Sequence, residues 1–271
     1  MDRLLEEKFE RLKKIIQSMG RVLVAYSGGV DSTLLLKVAM DVLGGENVLA
    51  VTALSPLYPE RELKEAKELV NQFKGRHLLI ESNELEIAGF SKNPPNRCYY
   101  CKRELFGKLL DLAEKKSLSF IIEGSTLDDE KDHRPGKKAV QELGIRSPLK
   151  EAEFKKEDVR GLSKAFGLPT WDKPSFACLA SRFPYGEEID AEGLKRVNEA
   201  EEFLLGLGFK QVRVRHYTNL ARIEIFREEM GRLMDESLRD RVVARLKSIG
   251  YRYITLDLQG FRSGSMNEVL K

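Results

Sequence analysis

The sequence predicts an α/β fold, a doubly wound parallel sheet followed by a smaller α+β domain. In the first half of the 271-residue chain, short continuous apolar runs alternate with helical patterns, which indicates parallel strands covered by helices on both faces. After Trp171 the pattern changes, because the strands there alternate apolar with charged residues, as in a sheet with one solvated face. We therefore divide the chain into a first domain over 1–171, an active-site loop and linker over 172–189, and a small domain over 190–271.

The first domain is predicted to alternate strands with helices. Its strands are expected at Val22–Tyr26, Asn47–Leu54, His77–Glu81 and Phe120–Glu123, and Arg146–Leu149 is expected to form a short further strand and its exit. Its helices are expected at Met1–Ser18, Thr33–Leu43, Pro59–Phe73, Lys102–Lys115, Val140–Leu143 and Lys156–Phe166. Right-handed crossovers between such strands place their carboxyl ends at one edge of the sheet, where ligands of open α/β sheets bind.

The second half begins with an unusually long predicted loop, Asp172–Gly186. Long ordered loops tend to be functional. Beyond it, helices are predicted at Ala191–Leu205 and Ser237–Ile249, and strands at Gln211–Arg215, Ala221–Phe226 and Tyr251–Leu258.

Bulk composition excludes several classes of protein. The net charge of +3 is too small to indicate a nucleic-acid-binding surface. No apolar run reaches the ~18 residues that a membrane span requires, and the amino-terminal segment has the charged amphipathic pattern of a helix rather than that of a signal peptide. We therefore expect a cytoplasmic protein that binds neither membranes nor nucleic acids. In that reducing compartment, its three cysteines favour metal binding or catalysis over a structural disulfide.

The most informative motif is SGGVDS, which lies between the first predicted strand and helix. Its glycines allow a tight turn, and the start of the helix offers N–H groups and a positive dipole to a phosphate. Asp31 is a suitable ligand for Mg²⁺. Because no Gly-Lys-Ser/Thr follows, the motif is not a Walker A loop. The predicted phosphate-binding residues are Ser27, Gly28, Gly29, Val30, Asp31 and Ser32.

Cysteine and arginine residues form the second group of candidates. Cys98 and Cys101 form a Cys-x-x-Cys motif at the start of a predicted helix, and this spacing alone fits a redox pair, half a zinc site or part of an iron–sulfur site. Cys178 lies in the long loop close to Ser181 and Arg182, and a cationic neighbour favours a reactive thiolate.

Arg213 and Arg215 are two residues apart on a predicted strand, so they share a face. Together with Arg222 they suit bidentate recognition of a phosphate. The alternative is a solvated face on which Arg222 pairs with Glu201 or Glu224.

The SGGVDS motif resembles the signature of the PP-loop ATP pyrophosphatases. This resemblance implies cleavage of ATP between the α- and β-phosphates and an adenylated intermediate. It also implies that Ala53 and Leu54 flank the adenine, while Gly124, Ser125 and Thr126 line the ribose and phosphates. For Asp128 and Asp129, which follow, a role in binding Mg²⁺ or substrate and a solvated acidic turn remain equally open.

The segment Pro174–Gly186, PSFACLASRFPYG, narrows the resemblance to the LarE family, the ATP-dependent sulfur transferases that build the nickel-pincer cofactor of lactate racemase. Other segments that fit are Asp132–Gly136, Arg146–Leu149, Gln211–Arg215 and Ala221–Glu224. The resemblance implies that a pyridinium biscarboxylate mononucleotide is adenylated and converted to a thiocarboxylate. The implied catalytic residues are Asp31, Cys178, Ser181 and Arg182, and the implied substrate-binding residues are Arg134, Glu201, Arg213, Arg215 and Arg222.

The source of sulfur depends on the branch of this family. Members with a single cysteine at the position of Cys178 give up its own sulfur. This sequence resembles the branch in which Cys98, Cys101 and Cys178 hold a [4Fe–4S] cluster, whose fourth iron would bind hydrosulfide. Zinc remains an alternative, with a fourth ligand from water or one of His77, His133 and His216.

The sequence leaves two rival functions open. One is a different PP-loop enzyme, either an amidotransferase-type ligase or a tRNA thiolase, and the other is a nucleotide-binding sensor without chemistry. Neither an ammonia-using ligase nor a sensor needs a cysteine such as Cys178 in a long loop. We further expect a homo-oligomer.

Overall fold

The computed structural model describes residues 3–130, 135–174 and 176–270. The chain forms two compact units, of which the first contains Met1–Asn83 and Asn96–Phe176, and the second contains Glu84–Pro95 and Ala177–Lys271. The segment Glu84–Pro95 lies inside the range that the sequence assigns to the first domain, yet it packs with the second unit.

The first unit is built on a parallel sheet with the strand order β3-β2-β1-β4. The strands are β1 (Val22–Ala25), β2 (Val48–Leu54), β3 (Arg76–Glu81) and β4 (Phe120–Ile122). The helices are α1 (Arg3–Gln17), α2 (Val30–Leu43), α3 (Glu60–Gln72), α4 (Arg97–Lys115), α5 (Gly136–Glu142), α6 (Pro148–Glu151) and α7 (Lys156–Ala165).

Successive residues of β1 belong to different apolar clusters. Val22 and Val24 pack with residues of α1, α2 and α7, whereas Leu23 packs with Phe106 and Leu109 of α4. Because neighbouring side chains of a strand point to opposite faces, the sheet is covered by helices on both sides. The doubly wound α/β fold is thereby confirmed.

The short strand predicted within Arg146–Leu149 is reduced to one residue. Arg146 joins the sheet through a single parallel bridge to Ile122, and the predicted exit is the helix α6, which starts at Pro148. Proline fits the first turn of a helix, where its missing N–H has no helical partner in any case, so it turns the chain out of the sheet.

The second unit contains a small mixed sheet with the order β5-β6-β7. β5 (Val212–Tyr217) and β6 (Leu220–Ile225) are antiparallel, and β7 (Tyr253–Leu256) runs parallel to β6. Its helices are α8 (Ala191–Gly206) and α9 (Glu236–Ile249). The small α+β architecture that the sequence predicts is therefore present. No helix in the part of the chain that the structure describes is both long and apolar enough to cross a membrane.

The solvated face predicted for this small sheet is wrong. Arg213 and Arg215 are only 6% and 4% exposed, and Glu224 is fully buried. Alternation of apolar and charged residues indicates that the two faces of a strand have different surroundings. It does not show whether the charged face is covered by water or by buried ion-pair partners.

Candidate active site

The phosphate loop joins β1 to α2 at the carboxyl edge of the parallel sheet. Helix α2 begins at Val30, three residues earlier than predicted, so Val30, Asp31 and Ser32 form its first turn. Gly29 caps the helix, and among the described residues no side chain provides a capping hydrogen bond. The first-turn N–H groups therefore face the loop, as an anion site at a helix start requires.

The conformation of the loop depends on Gly28. Its φ is +66°, and a Cβ there would lie 2.9 Å from the Cβ of Ala66 on α3. A larger residue would both strain the backbone and collide with this helix. The hydroxyl oxygens of Ser27 and Ser32 lie 3.1 Å apart and close the loop across its base.

The turn after β4 approaches the start of α2. A Cβ on Gly124 would lie 3.1 Å from the Ser32 nitrogen and 3.2 Å from the Asp31 Cβ, so any larger residue would require the start of α2 to shift by a few tenths of an ångström. Thr126 donates from its backbone N–H and its hydroxyl to Oδ2 of Asp129, over 2.8 and 3.1 Å. Asp129 is buried, so it does not belong to a solvated acidic turn.

Lys156, at the start of α7, is a member of this site that the sequence analysis missed. Its Nζ lies 2.5 Å from Oδ2 of Asp31 and 3.6 Å from Oδ2 of Asp129. Its backbone N–H donates to Oδ2 of Asp128 over 2.7 Å. Two carboxylates thus converge on one cation beside the phosphate loop, an arrangement of oxygen donors that suits Mg²⁺.

A cavity of about 210 Å³ lies beside the phosphate loop. Its lining includes Asp31 of the loop, Tyr58 and Glu62, Lys156 and Arg160 of α7, and Lys173. The Tyr58 hydroxyl donates to the carbonyl oxygen of Ser27. Burial, followed by the charge of Glu62, raises the pKa of Tyr58, so this hydroxyl stays protonated as a donor at neutral pH.

In the second unit, Arg182 connects the Cys178 segment to α8. This fully buried side chain donates to both carboxylate oxygens of Glu201, from Nε over 2.9 Å and from Nη2 over 2.7 Å. Its Nη1 donates to the carbonyl oxygens of Ala177 and Cys178, the latter over 2.9 Å. Burial alone would raise the pKa of Glu201, but Arg182 holds that pKa below its usual value.

The face of β5 that carries the arginines is lined by buried charged groups. Arg215 pairs with both oxygens of Glu224, over 2.9 and 2.6 Å, and donates to the carbonyl oxygen of Ser181 over 2.8 Å. Burial, followed by the nearby Arg182, lowers the pKa of Arg213 to about 9. Among the described residues, the buried guanidinium groups of Arg182, Arg213 and Arg215 lie with the buried carboxylates of Glu201 and Glu224. Guanidinium groups gathered in this way are suited to bind an anion.

Comparison with known proteins places the chain in a family. A sequence profile of NAD synthase matches residues 4–96. The chain is 46% identical over 267 residues to an uncharacterized protein of Synechocystis sp. (strain PCC 6803), covering 98% of this chain and 99% of that protein. It is 41% identical over 266 residues to the pyridinium-3,5-bisthiocarboxylic acid mononucleotide synthase of Lactiplantibacillus plantarum, covering 98% and 96% of the two chains. The chain belongs to the LarE family of PP-loop enzymes.

More distant similarity extends to the archaea. An uncharacterized protein of Methanocaldococcus jannaschii is 32% identical over 259 residues, covering 96% of this chain and 94% of that one. Each of these three alignments extends over both units rather than over the phosphate loop alone.

The residues predicted to bind ATP lie at the carboxyl edge of the parallel sheet, as expected for a LarE-family chain. Ala53 and Leu54 are half-buried at the end of β2, which is the edge of the sheet where β1 delivers Ser27 and β4 delivers Gly124. Ser125 follows at the same edge and donates from its hydroxyl to Glu123 over 2.8 Å. Their contacts with ATP remain predictions.

The predicted LarE cysteines are divided between the two units. Cys98 and Cys101 lie in the first turns of α4, the former exposed and the latter half-buried, and Cys178 lies in the second unit just before a 3₁₀ turn over Leu179–Arg182. Within the described residues, no three His, Cys, Asp or Glu side chains are grouped closely enough to hold a metal ion. Their joint role as cluster ligands remains a prediction.

The other residues predicted to bind the substrate differ in how far the structure agrees with that prediction. Arg222 is partly exposed, and its Nη2 donates to Glu224 over 3.3 Å, as in the ion-pair alternative. Glu201 pairs with Arg182 rather than with Arg222. Arg134 lies outside the described residues.

Proposed function

We propose that this protein is an ATP-dependent sulfur transferase that converts a carboxylate of a pyridinium biscarboxylate mononucleotide into a thiocarboxylate. Carboxylates are poor electrophiles, so a carboxylate oxygen first attacks the α-phosphorus of ATP and pyrophosphate leaves. A sulfur nucleophile then attacks the acyl carbon and AMP leaves. The proposal is carried by the 41% identity, over nearly the whole chain, to a protein named as a synthase of such a thiocarboxylate.

The site in the first unit supports the adenylation step. Asp31 and Asp129 provide carboxylate oxygens for Mg²⁺, and Lys156 would neutralise negative charge that develops on the leaving pyrophosphate. The start of α2 supplies N–H groups for the phosphates. Ala53, Leu54, Gly124, Ser125 and Thr126 would surround the nucleoside.

The second unit supports the recognition of a mononucleotide. The buried guanidinium groups of Arg182, Arg213 and Arg215 suit the phosphate of the substrate, because a phosphate accepts charge-assisted hydrogen bonds from several guanidinium groups at once. Arg182 fixes the backbone of Cys178 through two carbonyl oxygens and therefore positions the thiol that the proposed chemistry uses.

For the sulfur source we propose a [4Fe–4S] cluster with Cys98, Cys101 and Cys178 as its ligands. Cys98 and Cys101 are three residues apart on α4, so they lie on one side of the helix, and thiolates are the preferred ligands of such clusters. The cluster would supply an iron site for hydrosulfide and so spare Cys178. If no cluster forms, Cys178 itself is the donor.

Anaerobic reconstitution with iron and sulfide, followed by Mössbauer spectroscopy, separates these two sources. A cluster is expected in the native chain and in none of the variants Cys98→Ala, Cys101→Ala and Cys178→Ala. Retention of iron by Cys178→Ala would contradict the ligand set. Mass spectrometry of the native chain after turnover reports whether Cys178 has lost its sulfur.

The overall function is tested by exchange of labelled pyrophosphate into ATP. The exchange is expected to require the pyridinium biscarboxylate mononucleotide. Exchange stimulated by tRNA would instead identify a tRNA thiolase, and binding of ATP without any exchange would identify a sensor. We also propose that the enzyme acts in the cytoplasm as a homo-oligomer, the latter measurable by light scattering.

A further inference from the structure

The cavity beside the phosphate loop has a wall that belongs to the segment leading to Cys178. Lys173, Pro174 and Phe176 line this cavity together with Ser27 and Asp31. We call residues 171–174 and 176 the loop wall. Cys178 follows Phe176 by two residues, so the wall of a phosphate cavity continues directly into the cysteine segment.

Two polar anchors hold the loop wall in place. Arg160 of α7 donates to the carbonyl oxygens of Trp171 and Lys173, each over 2.8 Å. The Nζ of Lys173 lies 2.7 Å from a carboxylate oxygen of Glu62 and 2.7 Å from one of Glu65, both on α3. The Lys173 ammonium and the Glu62 carboxylate are both largely buried, so this pair is poorly screened by solvent.

An aromatic contact joins the wall to the phosphate loop itself. The rings of Tyr58 and Phe176 meet edge to face, with their centroids 6.1 Å apart. The hydroxyl of the same Tyr58 donates to the carbonyl oxygen of Ser27. Tyr58 therefore contacts the phosphate loop with one end and the loop wall with its ring.

The charged side chains around the cavity make the position of the loop wall depend on whether an anion is bound. Lys173 screens the carboxylates of Glu62 and Glu65 from an anion in the cavity, while Lys156 and Arg160 attract that anion. An anion in the cavity therefore stabilises the arrangement in which Lys173 and Arg160 hold the wall, and departure of the anion removes this stabilisation.

We propose that Tyr58 and Lys173 are positioning residues that couple occupancy of the phosphate cavity to the reactivity of Cys178. With pyrophosphate in the cavity, the loop wall is held, the chain that leads from it to Cys178 is restrained, and the thiol reacts slowly. After pyrophosphate leaves, the wall opens more often, this restraint is lost and the thiol reacts faster. This inference rests on the proposed function, because it assumes that the cavity receives the phosphates of ATP.

The test measures how fast Cys178 reacts with iodoacetamide, read at that residue by mass spectrometry, with and without magnesium pyrophosphate. A ligand at ten times its dissociation constant that binds only the closed wall suppresses opening by about tenfold. We expect this protection in the native chain, and we expect it to be lost in Tyr58→Phe and in Lys173→Met. Lys173→Arg, which keeps the charge, should retain it.

Matched controls and a binding measurement keep the outcomes distinct. Lys64→Met changes an exposed lysine of α3, the helix that carries Glu62 and Glu65. Tyr253→Phe changes an exposed tyrosine of the second unit. Both variants should keep the protection. Calorimetry measures pyrophosphate binding directly. Absence of binding to the native chain would overturn the proposed function and this inference together. Binding without protection of Cys178, or protection that survives in both variants, would overturn the coupling alone.

Discussion

The phosphate loop of the first unit and the arginine cluster of the second both concentrate charge, but they do so in opposite ways. Around Asp31 the charged groups are partly exposed at the edge of a parallel sheet, and the side chains of Asp31 and Lys156 are 26% and 38% accessible. Around Arg182 they are enclosed, and Arg182 and Glu201 have side chains that are 0% and 2% accessible.

This difference in solvent exposure gives the charged groups of the two regions different physical roles. A partly exposed ion pair contributes little to folding, so the charges near the phosphate loop are available to rearrange around a ligand and Mg²⁺. A buried pair cannot lose one member without leaving an uncompensated charge in a poorly solvated interior. The first region therefore tolerates substitution and loses chemistry, whereas the second loses its fold first.

The largest expected effect follows from Arg182→Ala. Removal of the guanidinium leaves Glu201 buried without its partner and releases the carbonyl oxygens of Ala177 and Cys178. We expect the free energy of unfolding to fall by about 3–5 kcal/mol. Urea denaturation measures it.

A surface ion pair between α9 and α8 provides the control for that experiment. Arg245 of α9 and Glu199 of α8 form a 3.3 Å ion pair with partly exposed side chains, so Arg245→Ala should cost less than about 1 kcal/mol. Replacing both buried partners, by Arg182→Met with Glu201→Leu, should recover part of the stability, because Glu201 is then no longer a buried carboxylate without its guanidinium partner. Equal losses for Arg182→Ala and Arg245→Ala would remove the contrast between the two regions.

Asp31→Asn is expected to have the next largest effect, on chemistry rather than folding. The change removes a charge that would hold Mg²⁺ against the phosphates, and we expect pyrophosphate exchange to fall at least ~100-fold, equivalent to about 2.7 kcal/mol. The urea midpoint should barely move. Asp41→Asn changes an exposed aspartate of the same helix α2, which pairs with Lys37, and should leave exchange unchanged. Normal exchange and normal Mg²⁺ dependence in Asp31→Asn would refute the assignment.

The first region was the more predictable from sequence, because its signal is local. The apolar run from Val22, the glycines and the following helix lie within one short segment, and their order alone indicates a phosphate loop. Lys156 could not be predicted in this way. It is 125 residues from Asp31 in sequence, and its position depends on the packing of α7 against the sheet core.

The second region misled the sequence analysis for a physical reason. Arg213 and Arg215 alternate with Val212 and Val214, and the same alternation occurs whether the charged face meets water or buried partners. The partners of Arg215 come from separate parts of the chain: Glu224 lies on the next strand, and Ser181 lies in the loop. No local pattern shows that such distant groups cover one face.

Arg213→Ala tests whether the buried arginine cluster binds the substrate as well as stabilising the fold. Arg213 lies over the ring of Phe261, with 5.4 Å from guanidinium carbon to ring centre, and is one of the buried guanidinium groups that we assign to substrate phosphate. We expect the Kd of the mononucleotide to rise about 10- to 150-fold, for a lost contact worth ~1.5–3 kcal/mol. The Kd of ATP should change far less. Arg232→Ala, at a partly exposed arginine of the same unit, serves as the control, and equal losses for both ligands in Arg213→Ala would argue against this placement.

The smallest expected effect is a shared dependence of stability on pH, through one histidine in each unit. Burial, followed by the charge of Lys67, lowers the pKa of His77, and burial lowers the pKa of His216. His77 contacts the Thr52 hydroxyl over 2.9 Å, and His216 contacts the Tyr251 hydroxyl over 3.0 Å. The unfolded chain has histidines with a pKa near ~6.5 and therefore binds more protons than the folded chain below that pH.

The free energy of unfolding is consequently greatest above the unfolded pKa and falls as the pH drops through about 6.5 toward the lowered folded values. Carboxylates titrate near pH ~4, so a comparison between roughly pH 7.5 and 5.5 isolates the histidines. His77→Gln should flatten the dependence reported by the fluorescence of Trp171, the single tryptophan, which lies in the first unit. His216→Gln should leave that signal unchanged if the units unfold separately and flatten it if they unfold together. A slope that persists in the double variant would show that other groups cause it.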